Sequence, residues 1–232
     1  MKTGSVDHAY VSQAISAAFE TEELQRAVST AIEWAPEIKH ETLVATMLSS
    51  VLNKNKTNSM REVRSDRLRR SRRYDIKIDQ VPLEAKYHFE FDIESIHCSV
   101  TQAASELSHL GSKSQSSWSA GDAFLKELNR TRNSFFLWSI CDRGPNPAMT
   151  ACMRKNLVAW HRSLGRRGIT DSAAYLHEKL NEVVNMSSTA LPGLVVCRLQ
   201  NVLGGNACLS TFLFFCPGPH EPLGVGSIPR AF

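Results

Sequence analysis

Asp75, Glu84 and Lys86 are the residues best able to do chemistry, set in the stretch YDIKIDQVPLEAKYHFEFD from Tyr74 to Asp92. Side chains along a strand alternate between its two faces. On the second half of the stretch Glu84, Lys86, His88, Glu90 and Asp92 share one face, with Leu83, Ala85, Tyr87, Phe89 and Phe91 on the other. On the first half Asp75, Lys77 and Asp79 oppose Tyr74, Ile76 and Ile78. A two-residue loop at Asp79-Gln80 sets Ile76 against Leu83 and Asp75 against Glu84, although the Asn-Gly pair typical of such loops is missing. Residues opposed in this way sit roughly 4.5–5.5 Å apart at Cβ. Two carboxylates that close repel unless a cation or a proton separates them.

That spacing suits a divalent ion. Hard oxygen ligands and a partly hydrated shell favour Mg²⁺, with Mn²⁺ as a substitute. Such an ion lowers the pKa of a bound water and neutralises charge on a phosphodiester under in-line attack. Lys86, on the same face, can hold or deprotonate the attacking water or stabilise the transition state. His88 is a second candidate base, to be set against an ordinary, partly exposed strand histidine. Glu90 and Asp92 are expected to face solvent or the segment that follows.

The elements that must position these groups follow from periodicity. Asp7 is a good N-cap for a first helix in which Val11, Ile15, Ala18 and Phe19 recur at helical spacing, and Glu22 to Trp34 continues as a second. Pro36 suits the first turn of a third helix, Glu37 to Leu52, with Val44, Leu48 and Leu52 inward. After the hairpin, Ile93 to Ser119 reads as a Ser-rich, partly helical insertion, and Ala120 to Arg132 as a helix with Phe124, Leu125 and Leu128 inward. Ser134 to Cys141 is a continuous apolar run, as expected of a strand covered on both faces. Two helices, Met149 to Leu164 and Asp171 to Met186, come next, then a second hairpin around Gly204-Gly205-Asn206. Pro217 to Phe232 carries four prolines and is expected to be irregular.

Asp75, eight intervening residues and Glu84-Ala85-Lys86 resemble the PD-(D/E)XK motif of the restriction-endonuclease-like nucleases. Tyr74 stands where that motif nominally has proline. Glu37-Ile38-Lys39 and Asp75-Ile76-Lys77 are also acid-x-lysine triplets. The third triplet is set apart by its apolar back face and by the acid on the preceding strand. The resemblance spans about residues 36–143, in the order helix, hairpin, helix, strand. It implies an α/β protein whose restriction-endonuclease-like core surrounds a mixed sheet; N-terminal helices (1–35), a C-terminal α+β elaboration (144–216) and an irregular tail (217–232) are expected to pack with that core as one unit. It implies Mg²⁺-dependent hydrolysis of DNA by Asp75, Glu84 and Lys86, with the Ala85 backbone carbonyl as a further metal ligand. It also brings in Glu41 on the third helix, a residue that otherwise reads as a first-turn acid favoured by the helix dipole.

Composition bounds the rest. The chain has 232 residues, 42% of them hydrophobic, which suits one packed domain, and a net charge of only +4. Its positive charge is local: residues 61–73 hold seven arginines against Glu62 and Asp66. Arg67, Arg69, Arg70, Arg72 and Arg73 of that run, and Arg166 and Arg167 in the turn after residue 164, are candidate phosphate contacts or else solvated charges. The six cysteines lack paired or His-linked metal spacing. Trp34, Trp118, Trp138 and Trp160 are scattered and read as core rather than base-stacking platforms. No signal peptide and no membrane-length apolar run is evident, so a cytoplasmic protein is expected, with DNA as partner and a homodimer as one arrangement. A non-catalytic nucleic-acid-binding protein on the same fold, or a protein-interaction module, would use the same charged face without the ion.

Overall fold

A computed structural model describes residues 7–64, 73–106, 119–132, 134–144 and 151–217. Period-two and period-3.6 segments alternate along the chain, and the outcome is an α/β structure with seven helices among the described residues and a mixed seven-stranded sheet. Strands β1 (Ser59–Arg64), β2 (Arg73–Ile78), β3 (Val81–Phe89), β4 (Phe135–Asp142), β5 (Val195–Arg198) and β7 (Ala207–Phe215) run in the order β1-β2-β3-β4-β7-β5, and β6 (Val202–Gly204) also pairs with β7. Among the described strands only β3 and β4 pair in parallel, and the crossover between them carries α4 (Ile93–Glu106) and α5 (Ala120–Arg130).

One face of the sheet is covered by α1 (His8–Phe19), α2 (Glu22–Trp34) and α3 (Glu41–Lys54), which pack Ile15, Phe19, Leu24, Val28, Leu48 and Leu52 on Ile76, Leu83, Tyr87 and Leu213. The other is covered by α4, α5, α6 (Ala151–Arg166) and α7 (Ser172–Ala190). There Phe124 meets Trp138 edge-on at 4.8 Å between ring centroids, and Trp138 stacks on Phe212 at 5.5 Å. Burying each such side chain contributes about 1.5–3 kcal/mol. As a continuous apolar run predicts, β4 is buried on both faces.

Helix starts follow the caps. The Asp7 carboxylate accepts from the Tyr10 amide at 2.9 Å, Asp171 accepts from Ala174 at 2.9 Å, and Ser119 and Asp122 cap α5 reciprocally. Helix α3 begins at Glu41, four residues later than Pro36 suggested. Residues 35–40 instead form a turn in which His40 Nε2 donates to the Ala35 carbonyl at 2.9 Å. The insertion expected to be partly helical opens as α4, which runs unbroken through Glu106 after a 3-10 turn, Glu90–Asp92, while residues 107–118 lie outside the described residues. Close packing explains Gly121: a Cβ there would lie 2.5 Å from the Ser95 carbonyl oxygen, so α4 and α5 touch at backbone distance. Trp34 is 80% exposed, not core, and Trp118 lies outside the described residues. Among the described residues no helix is long and apolar enough to cross a membrane.

Candidate active site

The β2–β3 hairpin has the expected register, Ile78 facing Val81 and Ile76 facing Leu83. Its turn residues Asp79 and Gln80 take φ of 43° and 79°, both left-handed as a type I′ turn requires, although neither is glycine. Beyond Ile76 and Leu83 side chains take over from the ladder. The Ala85 amide donates to Asp75 Oδ2 at 2.8 Å, and the Tyr87 amide donates to Glu41 Oε2 at 3.2 Å. Amides two residues apart on a strand point the same way, and these two would otherwise seek β2, which past Ile76 stays paired with β1 but no longer with β3. Two carboxylates satisfy them instead. The sheet edge is thereby opened, with acids drawn from β2 and from the first turn of α3.

Lys86 closes the arrangement. Its Nζ donates to Glu84 Oε1 at 2.8 Å, to the Ala85 carbonyl at 2.8 Å and to Glu41 Oε1 at 3.4 Å. Asp75, Glu84, Lys86, Ala85 and Glu41 are thus brought together from a sequence span of more than forty residues. Glu84 is 15% exposed and Lys86 24%. Burial raises the Glu84 carboxyl above its ordinary range, and the charges of Asp75 and Glu127 add to this, against the Lys86 hydrogen bond and charge. Burial alone would lower the Lys86 ammonium, but its hydrogen bond to Glu84 and the charges of Glu41, Glu84 and Asp75 outweigh it and raise it, so Lys86 is held charged.

The rest of the charged face is not as period two suggested. His88 is 4% exposed and its Nδ1 accepts from Trp138 Nε1 at 3.1 Å. Burial, then the charges of Lys39 and Lys86, pushes its pKa down to about 3. It is a neutral core acceptor, not a partly exposed base. Glu90 is fully buried rather than turned to solvent, bound by the equally buried Arg143 through Nε at 3.0 Å and Nη2 at 2.5 Å. Asp92 accepts from the Phe89 amide at 3.1 Å. The chain leaves the strand after Phe89 for the 3-10 turn Glu90–Asp92, so alternation ends there, and a buried charge requires a partner.

Two neighbours of the cluster were not singled out in the sequence. Glu127, 3% exposed on α5, accepts twice from Arg130 Nη1 at 2.7 Å, and its charge reaches Glu84. Its signal was available: it lies three residues after Phe124, on the apolar stripe of its helix. Arg61 on β1 donates to the Asp75 carbonyl at 3.2 Å.

Arg67, Arg69, Arg70 and Arg72 lie outside the described residues, and Arg73 opens β2 opposite Arg64. Arg166 is exposed at the end of α6, while Arg167 donates to Glu94 at 2.8 Å and stacks over Tyr175. An open groove of about 530 Å³ between α2 and α3, lined by Glu22, Arg26 and Met47, contains none of the acid–lysine cluster.

Among the described residues no three His, Cys, Asp or Glu side chains gather closely enough to hold an ion by themselves. The donor chemistry nevertheless fits Mg²⁺ or Mn²⁺, which need only one or two carboxylates and keep several waters. Here Asp75, Glu84, Glu41 and the Ala85 carbonyl supply oxygen alone, and Lys86 stands among them. No family model, curated protein or solved structure matches the chain.

Proposed function

We propose that this protein is a divalent-metal-dependent endodeoxyribonuclease with a restriction-endonuclease-like core, formed by α3, the β2–β3 hairpin, α5 and β4. The observation that carries the reading is the convergence of Asp75, Glu84, Lys86 and Glu41 on one opened strand edge. A solvated charged hairpin would leave its β2–β3 ladder intact and would not recruit an acid from a helix more than thirty residues away.

Asp75, Glu84, Glu41 and the Ala85 carbonyl would hold Mg²⁺, or Mn²⁺ in its place. When bound, the ion supplies charge neutralisation at the phosphodiester and a more acidic water. Asp75 and Glu41 fix the strand edge through the Ala85 and Tyr87 amides, so the oxygens are preorganised rather than gathered on binding. Lys86, kept charged by its acidic neighbours, orients the attacking water or stabilises the pentavalent phosphorus by electrostatics. Arginines of the run 61–73, which ends two residues before Asp75 in sequence, suit the phosphate backbone.

The test is incubation with supercoiled and linear DNA, with Mg²⁺ or with EDTA, beside a Lys86→Ala variant. Cleavage that needs Mg²⁺ and that the variant loses is the expected result. A folded protein that binds DNA in a salt-sensitive way but cuts none of several substrates would replace the reading with a non-catalytic nucleic-acid-binding protein. Absence of both cleavage and DNA affinity would favour a protein-interaction module.

A further inference from the structure

We propose that the Lys86 ammonium is the resident cation of the oxygen cluster, and that a divalent ion takes the site only by displacing it. The inference rests on the nuclease reading above and concerns how its site is loaded. An ammonium has three N–H donors. All three have partners here: Glu84 Oε1 and the Ala85 carbonyl at 2.8 Å, and Glu41 Oε1 at 3.4 Å. These are the oxygens an ion would use. An ion ligated by Glu84 Oε1 and the Ala85 carbonyl needs the space in which Nζ makes its two short bonds, and two cations at such distances repel.

The acids cannot easily rearrange to make room. Asp75 Oδ2 and Glu41 Oε2 are committed to the amides of Ala85 and Tyr87, which belong to a strand buried in the sheet. The movable partner is Lys86, whose charge sits on a flexible four-carbon stem and whose side chain reaches solvent. In the ion-free protein the ammonium offsets the mutual repulsion of Asp75, Glu84 and Glu41. Ion binding then does two things together: it replaces that compensation and frees Lys86 to meet the substrate. Catalytic lysine and ion are delivered in a fixed order.

The experiment compares Mg²⁺ and Mn²⁺ binding by calorimetry in the wild type and in Lys86→Met, with Lys86→Gln used where Lys86→Met does not fold. Alongside it, the side-chain ammonium signal of Lys86 is followed in ¹⁵N-lysine-labelled wild type during Mg²⁺ titration. Displacement predicts that the variant binds the ion about tenfold or more tightly than the wild type, a gap of about 1.4 kcal/mol. It also predicts that the wild-type signal moves to that of a solvated lysine at saturation. Equal or weaker binding by the variant overturns the proposal. So does tighter binding with an unmoved wild-type signal, because a simple field effect would then suffice. If wild type and variant both bind no ion, the nuclease reading falls as well. If the wild type binds ions and cuts DNA while the affinities match, only the displacement falls.

Discussion

His88 offers a sharp energetic test, because its burial fixes both the sign and the size of an effect. In the folded chain its pKa is pushed down to about 3, while a histidine in the unfolded chain titrates near 6.5. Between those values the unfolded state takes up a proton that the folded state refuses. Stability is therefore fully present above about pH 6.5 and is lost progressively as pH falls toward 3. At pH 5 the unfolded chain has gained roughly 1.5 pH units of protonation, or about 2 kcal/mol, relative to neutral pH. The perturbation is His88→Asn, whose Oδ1 can accept from Trp138 Nε1 as Nδ1 does, but which cannot titrate. Urea unfolding of both proteins at pH 7.5 and pH 5.0 isolates the contribution of this one imidazole from those of the other histidines. The wild type should lose about 2 kcal/mol more than the variant between the two pH values. An equal loss in both would mean that the imidazole accepts a proton within the fold, and would restore His88 as a candidate base.

Other expected outcomes follow from neighbouring contacts. Asp75→Ala should abolish Mg²⁺-dependent cleavage and also cost about 1–3 kcal/mol in urea unfolding, because the Ala85 amide loses its acceptor; preserved metal-dependent activity would contradict the site. Arg143→Met leaves Glu90 as an unpaired buried charge and should cost about 3–5 kcal/mol, much of it recovered in Glu90→Gln/Arg143→Met, as a thermodynamic cycle in urea would show. Gln80→Gly relieves a left-handed residue in the hairpin turn and should stabilise by about 1 kcal/mol, raising the melting temperature by a few degrees. DNA affinity, read by fluorescence anisotropy, should fall steeply between about 50 and 200 mM salt, with a shallower dependence once Arg69, Arg70, Arg72 and Arg73 are replaced by alanine.

Much of this protein was written in short-range pattern. Period-two alternation and a two-residue turn were enough to set Ile76 against Leu83, and with them Asp75 beside the Glu84-Ala85-Lys86 strand. Helical spacing marked α1, α5 and α7, with an N-cap at Asp7 for the first, and an unbroken apolar run marked β4. These signals are legible because each depends on residues a few positions apart, whose backbone geometry and hydrogen bonds are local. Packing across the chain obeys no such rule. Alternation put His88 and Glu90 on the face of Glu84, but only tertiary contacts with Trp138 and Arg143 made one a neutral core acceptor and the other half of a buried ion pair. Glu127 became a neighbour of Glu84 because α5 lies on that face, and Trp34 was left exposed because nothing packs over the end of α2 among the described residues. Glu41 met Lys86 and the Tyr87 amide across more than forty residues, and the Lys86 ammonium came to occupy the oxygens an ion would use. Partners for a buried charge are chosen by which surfaces exclude water together, and that is decided by the assembled layers rather than by any stretch of the chain.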